Sequence, residues 1–153
     1  MRLSPLPILT AALLLSSAFV LRADDAREIT LHTDPTNPLG YDAASKKFTV
    51  KAGEKVKVKL ENKSPLPHNI IIIKPGALTK VGAQVNGMLT DPNGMAKSYI
   101  PETEDILFAT KFVQPSQTGV LEFTAPSEAG SYPYTCTFPG HWVLMQGVMT
   151  VEK

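Results

Sequence analysis

Near the end of the chain stands 132-YPYTCTFPGHWVLMQGVMTV-151, which holds Cys136, the single cysteine of the sequence, then His141 and Met145. The spacing is C-x4-H-x3-M. A thiolate, an imidazole and a thioether together are soft and borderline ligands, and that mixture suits copper cycling between its two oxidation states. A trigonal site needs a second nitrogen. The chain has three histidines, so the remaining candidates are His68 and His32. His68 lies in Leu66-Pro67-His68-Asn69, where a turn enters an isoleucine-rich strand, and a ligand at a strand mouth can meet a loop between two carboxy-terminal strands. His32 sits in an early alternating strand without ligand-like neighbours and reads as ordinary. A lone cysteine by itself would be a small buried apolar residue; the company of His141 and Met145 favours a ligand. Met149 reads as packing on the last strand, and Met88 and Met95 as packing in a helical segment.

The elements that would position these residues are mostly extended. Period-two alternation marks strands at Glu28–His32, Phe48–Lys51 and Lys55–Glu61, the last with lysines on a wet face. Asn69–Ile73 carries four consecutive isoleucines, a run suited to a strand buried on both faces. Further strands are expected at Ile106–Phe112, Gly119–Phe123, Ser131–Thr135 and Gly147–Val151, separated by turn-rich segments such as Phe138-Pro139-Gly140. From Leu78 to Leu89, Val81, Val85, Met88 and Leu89 recur at helical spacing, and Asp91-Pro92-Asn93-Gly94 ends the segment. The expected architecture is all-β, a Greek-key sandwich or barrel with one short helical insertion at about 77–97.

At 153 residues the chain is about one domain long. Residues 1–23 read as a signal peptide: an early Arg2, an apolar run from Ile8 to Val20, and small residues before cleavage after Ala18 or Ala23. Residues 24–153 would then form a single copper-binding domain in the periplasm or outside the cell, touching a membrane only if the signal were kept as an anchor. Removal of 1–23 takes Arg2 and Arg22 and no acid, leaving 13 Lys+Arg against 14 Asp+Glu, a formal charge of −1. That balance gives no basis for a nucleic-acid partner. In an oxidising compartment an unpaired cysteine is an intermolecular link, an inert buried thiol or a reactive group. A metal bond would occupy the thiolate and protect it.

The stretch Cys136-Thr137-Phe138-Pro139-Gly140-His141 with Leu144-Met145 resembles the copper loop of azurin-like blue (type 1) copper proteins, the azurin and auracyanin type of the cupredoxin family. The resemblance takes in His68-Asn69, the insertion at 77–97, Thr110-Lys111 and Tyr132–Cys136, roughly residues 27–152. It implies that His68, Cys136 and His141 form the strong trigonal plane with Met145 as weak axial ligand. It implies also that the backbone carbonyl before the first histidine approaches the metal from the other side. That residue is usually glycine in the family and is Pro67 here. Asn69 would pin the two ligand loops together near the thiolate, and the backbone N–H of Phe138 would donate to the Cys136 sulfur. The disulfide that azurins carry near the amino terminus cannot form in this chain.

The function so implied is that of a soluble one-electron carrier, not an enzyme, exchanging electrons transiently with redox proteins such as cytochromes or oxidoreductases. The His141 imidazole, at the loop surface, would be the electron's exit, and His68 would be buried and neutral. Leu39, Pro139, Trp142 and Leu144 would form an apolar docking patch around it, although Trp142 is equally suited to filling core. A copper enzyme of the nitrite-reductase kind needs more histidines, and a binuclear oxidase-type centre needs two cysteines. A cysteine hydrolase would leave Met145 unexplained. The alternative is a copper carrier or chaperone using the same four ligands.

Overall fold

A computed structural model describes residues 26–153. The expected signal at residues 1–23 lies outside them. Among the described residues eight strands form two sheets. The three-stranded sheet has the order β1 (Arg27–His32), β3 (Lys55–Glu61), β6 (Thr118–Thr124). The five-stranded sheet has the order β2 (Lys47–Lys51), β8 (Gln146–Glu152), β7 (Gly130–Thr135), β4 (Ile71–Ile73), β5 (Ile106–Ala109). β1 pairs parallel with β3, and β2 with β8; the other pairings are antiparallel.

β3 shows why the sequence takes this form. Val56, Val58 and Leu60 are buried, and the alternating Lys57 and Lys59 face out to meet Glu122 on β6 and Glu28 on β1. A strand with one face on the core must place alternate residues in water. The isoleucine run has no wet face. Ile70 and Ile72 enter the core between the sheets, which Leu31, Leu121, Tyr134 and Met149 also fill. Ile71 and Ile73 face outward onto Val81 and Val85 of α1 (Leu78–Gly87).

Three expectations change in detail. α1 ends at Gly87, and Met88–Thr90 continue as a 3-10 turn. That tighter winding turns Leu89 away from the face set by Val81 and Val85, and it is 47% exposed. The strand expected over 69–73 is regular only from Ile71, and the one over 106–112 ends at Ala109. Where the two would continue, only an isolated bridge joins His68 to Val113. The ladder opens there to admit Thr110, whose Oγ accepts the Ile70 N–H at 3.1 Å. Among the described residues no helix is long and apolar enough to cross a membrane.

Candidate metal centre

His68 is bolted at the strand mouth in both directions. Its N–H donates to the Val113 carbonyl at 3.1 Å, and its carbonyl accepts from Val113 N–H at 2.7 Å. The preceding turn is held by Asn62, whose side-chain amide donates to the carbonyls of Leu66 (2.8 Å) and Val113 (2.9 Å). Pro67 lies in that turn and is half-buried.

The second half of the site comes from the connection between β7 and β8. Cys136 follows the last residue of β7, and its N–H reaches the Met145 carbonyl at 3.3 Å. Between them the chain makes two tight turns. His141 N–H donates to Phe138 O at 2.9 Å, and the His141 carbonyl accepts from Leu144 (3.0 Å) and Met145 (2.8 Å). Gly140 supplies the positive φ of 81° that a β-carbon would oppose. The loop is thereby folded back so that both of its ends meet.

This brings His68, Cys136 and His141 together, with one ligand atom from each lying within 4.8 Å of the others. Cys136 Sγ is 3.7 Å from His68 Nδ1. The two imidazole rings are 5.0 Å apart. All three residues are buried, at 0%, 0% and 1% exposure for His68, Cys136 and His141. Met145 is fully buried in the same cluster as Cys136, and Met149 packs in the core as expected. His32 stays apart at the surface, its ring between Asp42 (3.4 Å) and Glu61 (3.1 Å).

The electrostatics follow from burial. Desolvation pushes the Cys136 thiol up to about 11, against the backbone N–H groups of Asn69 and Phe138 that favour its thiolate; the Phe138 N–H lies 3.4 Å from the sulfur. Burial, and then the neighbouring His141, lower His68 to about 4. Burial lowers His141 as well. At neutral pH the site is therefore a thiol and two neutral imidazoles, with free nitrogen lone pairs. His141 Nδ1 and His68 Nε2 are buried without hydrogen-bond partners, although buried polar atoms are normally paired. The His68 nitrogen that faces the thiol is Nδ1, and a thiol with two neutral imidazoles in this arrangement fits a soft or borderline metal ion. No carboxylate belongs to the cluster, as a site for a hard cation would require.

Asn69 joins the two halves. Its Oδ1 accepts the Thr137 N–H at 2.8 Å and its Nδ2 donates to Thr137 Oγ1 at 2.7 Å. Ser98, which the sequence reading missed, completes this network. Its carbonyl accepts from Thr137 Oγ1 at 2.6 Å and from Asn69 Nδ2 at 3.4 Å, and its Oγ accepts the Phe112 N–H at 3.0 Å. Ser98 and Tyr99 both have positive φ, 56° and 49°. No glycine or asparagine marks that conformation, so nothing local in the sequence flags it.

One expectation about the loop is corrected. His141 is not at the surface: the doubled turn draws it under the ring of Phe138, 4.8 Å away. Trp142 is half-buried and packs on α1, where its Nε1 donates to Asn86 Oδ1 at 2.9 Å. The exposed apolar residues of the loop are Val143 (56%), not foreseen, and Leu144 (63%). Leu39 and Pro139 are half-buried.

A profile of the copper binding proteins of the plastocyanin/azurin family matches residues 28–152. The chain belongs to this family. Among curated relatives, auracyanin-A of Chloroflexus aurantiacus is 35% identical over 107 residues, which span 69% of this chain and 64% of that protein. Azurin of Pseudomonas aeruginosa is 27% identical over 155 residues, 97% of this chain and 95% of the relative. The solved structure of auracyanin A, described as a blue copper protein from the same Chloroflexus species, superposes with a TM-score of 0.74 at 32% identity. It covers 84% of this chain and all of that one.

Proposed function

We propose that this plastocyanin/azurin-family protein is a soluble one-electron carrier with a single type 1 copper site. His68, Cys136 and His141 would hold the ion, which supplies one-electron exchange between Cu(I) and Cu(II). The observation that carries the reading is a buried thiol and two buried neutral imidazoles within 4.8 Å of one another, in a chain of this family. Binding would displace the Cys136 proton, since the thiolate is the ligand. The Phe138 and Asn69 N–H groups then stabilise the sulfur's charge and restrain its electron donation.

The Met145 thioether would help to hold the ion as a weak ligand, supported by its complete burial and its backbone bond to Cys136. The Pro67 carbonyl would be a further weak contact to the ion, supported by the hold of Asn62 on the same turn. Burial of all three main donors disfavours the copper-carrier reading, because delivery to another protein needs an accessible ligand. Electrons would pass by way of His141 and the neighbouring, half-buried Phe138 ring. The exposed Val143 and Leu144, together with Pro139 of the same loop and Leu39, would supply a transient apolar contact for a cytochrome or oxidoreductase. Residues 1–23 as a signal peptide would place this exchange in the periplasm or outside the cell.

The test is the visible absorption and electron paramagnetic resonance of the Cu(II)-loaded protein. An intense red-absorbing thiolate band with narrow copper hyperfine splitting is expected, and Cys136→Ser should abolish the band. A pale complex with wide splitting would remove the electron-transfer reading and bring the copper carrier forward.

A further inference from the structure

One segment holds the metal loop at both flanks. On the His141 side, the ring of Trp142 rests on α1 at Gly82, where a β-carbon would collide with ring atoms Cδ2, Cε3 and Cζ3. Glycine weakens a helix interior, and here its missing side chain is the seat for the indole. One turn along, on the same helix face, Asn86 accepts the indole N–H at 2.9 Å. The Trp142 carbonyl accepts from Gln146 Nε2 at 2.9 Å, and the Thr135 hydroxyl, whose shortest bond is to Met145 O at 2.8 Å, lies 3.1 Å from it. Ring and carbonyl of Trp142 are thus both held, at the residue directly after His141.

On the Cys136 side, the chain that continues from α1 reaches Ser98, whose carbonyl takes the Thr137 hydroxyl at 2.6 Å. Ser98 is itself buried and held by its N–H to Met95 O at 2.9 Å and by its Oγ to Phe112 N–H. Thr137 directly follows Cys136, as Trp142 directly follows His141.

We propose that the insertion from Leu78 to Ser98 is a clamp that sets the geometry of the metal loop before any metal binds, with Gly82, Asn86, Trp142 and Ser98 as its positioning residues. None of the four is a ligand in the proposed site; each acts through its neighbour in the loop. The value of the clamp to electron transfer rests on the copper reading, because fixed ligands hold one geometry through both oxidation states. The clamp itself is a property of the metal-free chain and is tested there.

The experiment is residue-resolved amide hydrogen exchange on the metal-free protein, paired with Cu(II) paramagnetic resonance, for Trp142→Ala, Trp142→Phe and Asn86→Ala. Amides of His141, Leu144 and Met145 should exchange faster by on the order of a hundredfold in Trp142→Ala and by about fivefold in Asn86→Ala, the factor of one net hydrogen bond. The amides of β3 and β6 should stay at the parent rate. Phenylalanine at 142 should restore much of the protection, and the copper hyperfine splitting should widen with alanine and recover with phenylalanine. Unchanged loop exchange in a folded Trp142→Ala, or loop and sheet rising together, would overturn the clamp. If Trp142→Ala does not fold, an unchanged loop in Asn86→Ala overturns it. Should the parent protein lack the thiolate band, the copper reading fails while the metal-free exchange still decides the clamp.

Discussion

In the three-stranded sheet the side chains of β3 find what their places demand. Val56, Val58 and Leu60 are buried among apolar neighbours, and Lys57 and Lys59 meet Glu122 and Glu28 across the strands. The metal loop is built the other way. His141 Nδ1 is buried without a partner, a thiol is held in a site that resists its ionisation, and Ser98 and Tyr99, beside the loop, adopt left-handed backbone. Such conformations persist only where the surroundings over-determine them. The sheet is complete as folded, whereas the loop end is arranged around a demand that a bound cation would meet.

The largest effect should separate the two regions outright. Val58→Asp places an unpaired carboxylate in the core between the sheets, and loss of cooperative unfolding by circular dichroism is expected. Cys136→Ala, in contrast, should leave the metal-free protein folded with a melting temperature near the parent's, while copper loading yields no red-absorbing band. A Cys136→Ala protein that cannot fold would mean that the thiol is chiefly core.

Next comes pH. His68 is neutral in the native site down to about pH 4 but takes up a proton in the unfolded chain below its ordinary value near 6.5. The unfolded state then binds more protons, so metal-free stability should fall as pH drops from about 6.5 towards 4, by a few kcal/mol in total. At the other limit, the unfolded thiol ionises near 9 while native Cys136 keeps its proton to about 11, so stability should fall again across that window. Urea midpoints measured across pH check both. His68→Leu should shrink the acid limb to the part that buried His141 contributes and leave the alkaline one, and an unchanged acid limb would assign it elsewhere.

A smaller change tests the pin between the ligand segments. Asn69→Ala leaves the Thr137 N–H buried without its acceptor and should cost about 1–3 kcal/mol, read as a lower urea midpoint with an unchanged slope. The smallest effect belongs to the sheet surface. Lys57→Ala removes a solvent-exposed ion pair with Glu122, and no measurable shift in midpoint is expected. A large one would mean that the sheet, too, depends on specific polar contacts.

Where a residue's role depends on its near neighbours along the chain, it was legible in advance. The lysine–valine alternation of 55–61 could only be a half-wet strand, and four isoleucines in a row could only be a strand covered twice. Cys136, His141 and Met145 declared a site by spacing, and His68 entered because two nitrogens were needed and His32 had no suitable neighbours. The reading failed where the local pattern ran past the point at which tertiary contacts took over. Leu89 fitted the helical period, yet the chain had tightened into a 3-10 turn. Trp142 was equally a docking residue or core until Gly82, sixty residues earlier, was found to leave room for it. Ser98 carried no signal, because its contribution is a carbonyl, which every residue possesses.

By itself, then, the sequence determined the strand pattern, the all-β class and the donor set of the metal site, since hydrophobic period and ligand chemistry are properties of residue types at short separation. Only the tertiary structure decided that His68 meets a loop 68 residues further on, that His141 lies beneath the surface, and that the insertion closes on both flanks of the loop. Those outcomes depend on which surfaces pack against each other, and packing is settled by the whole chain at once.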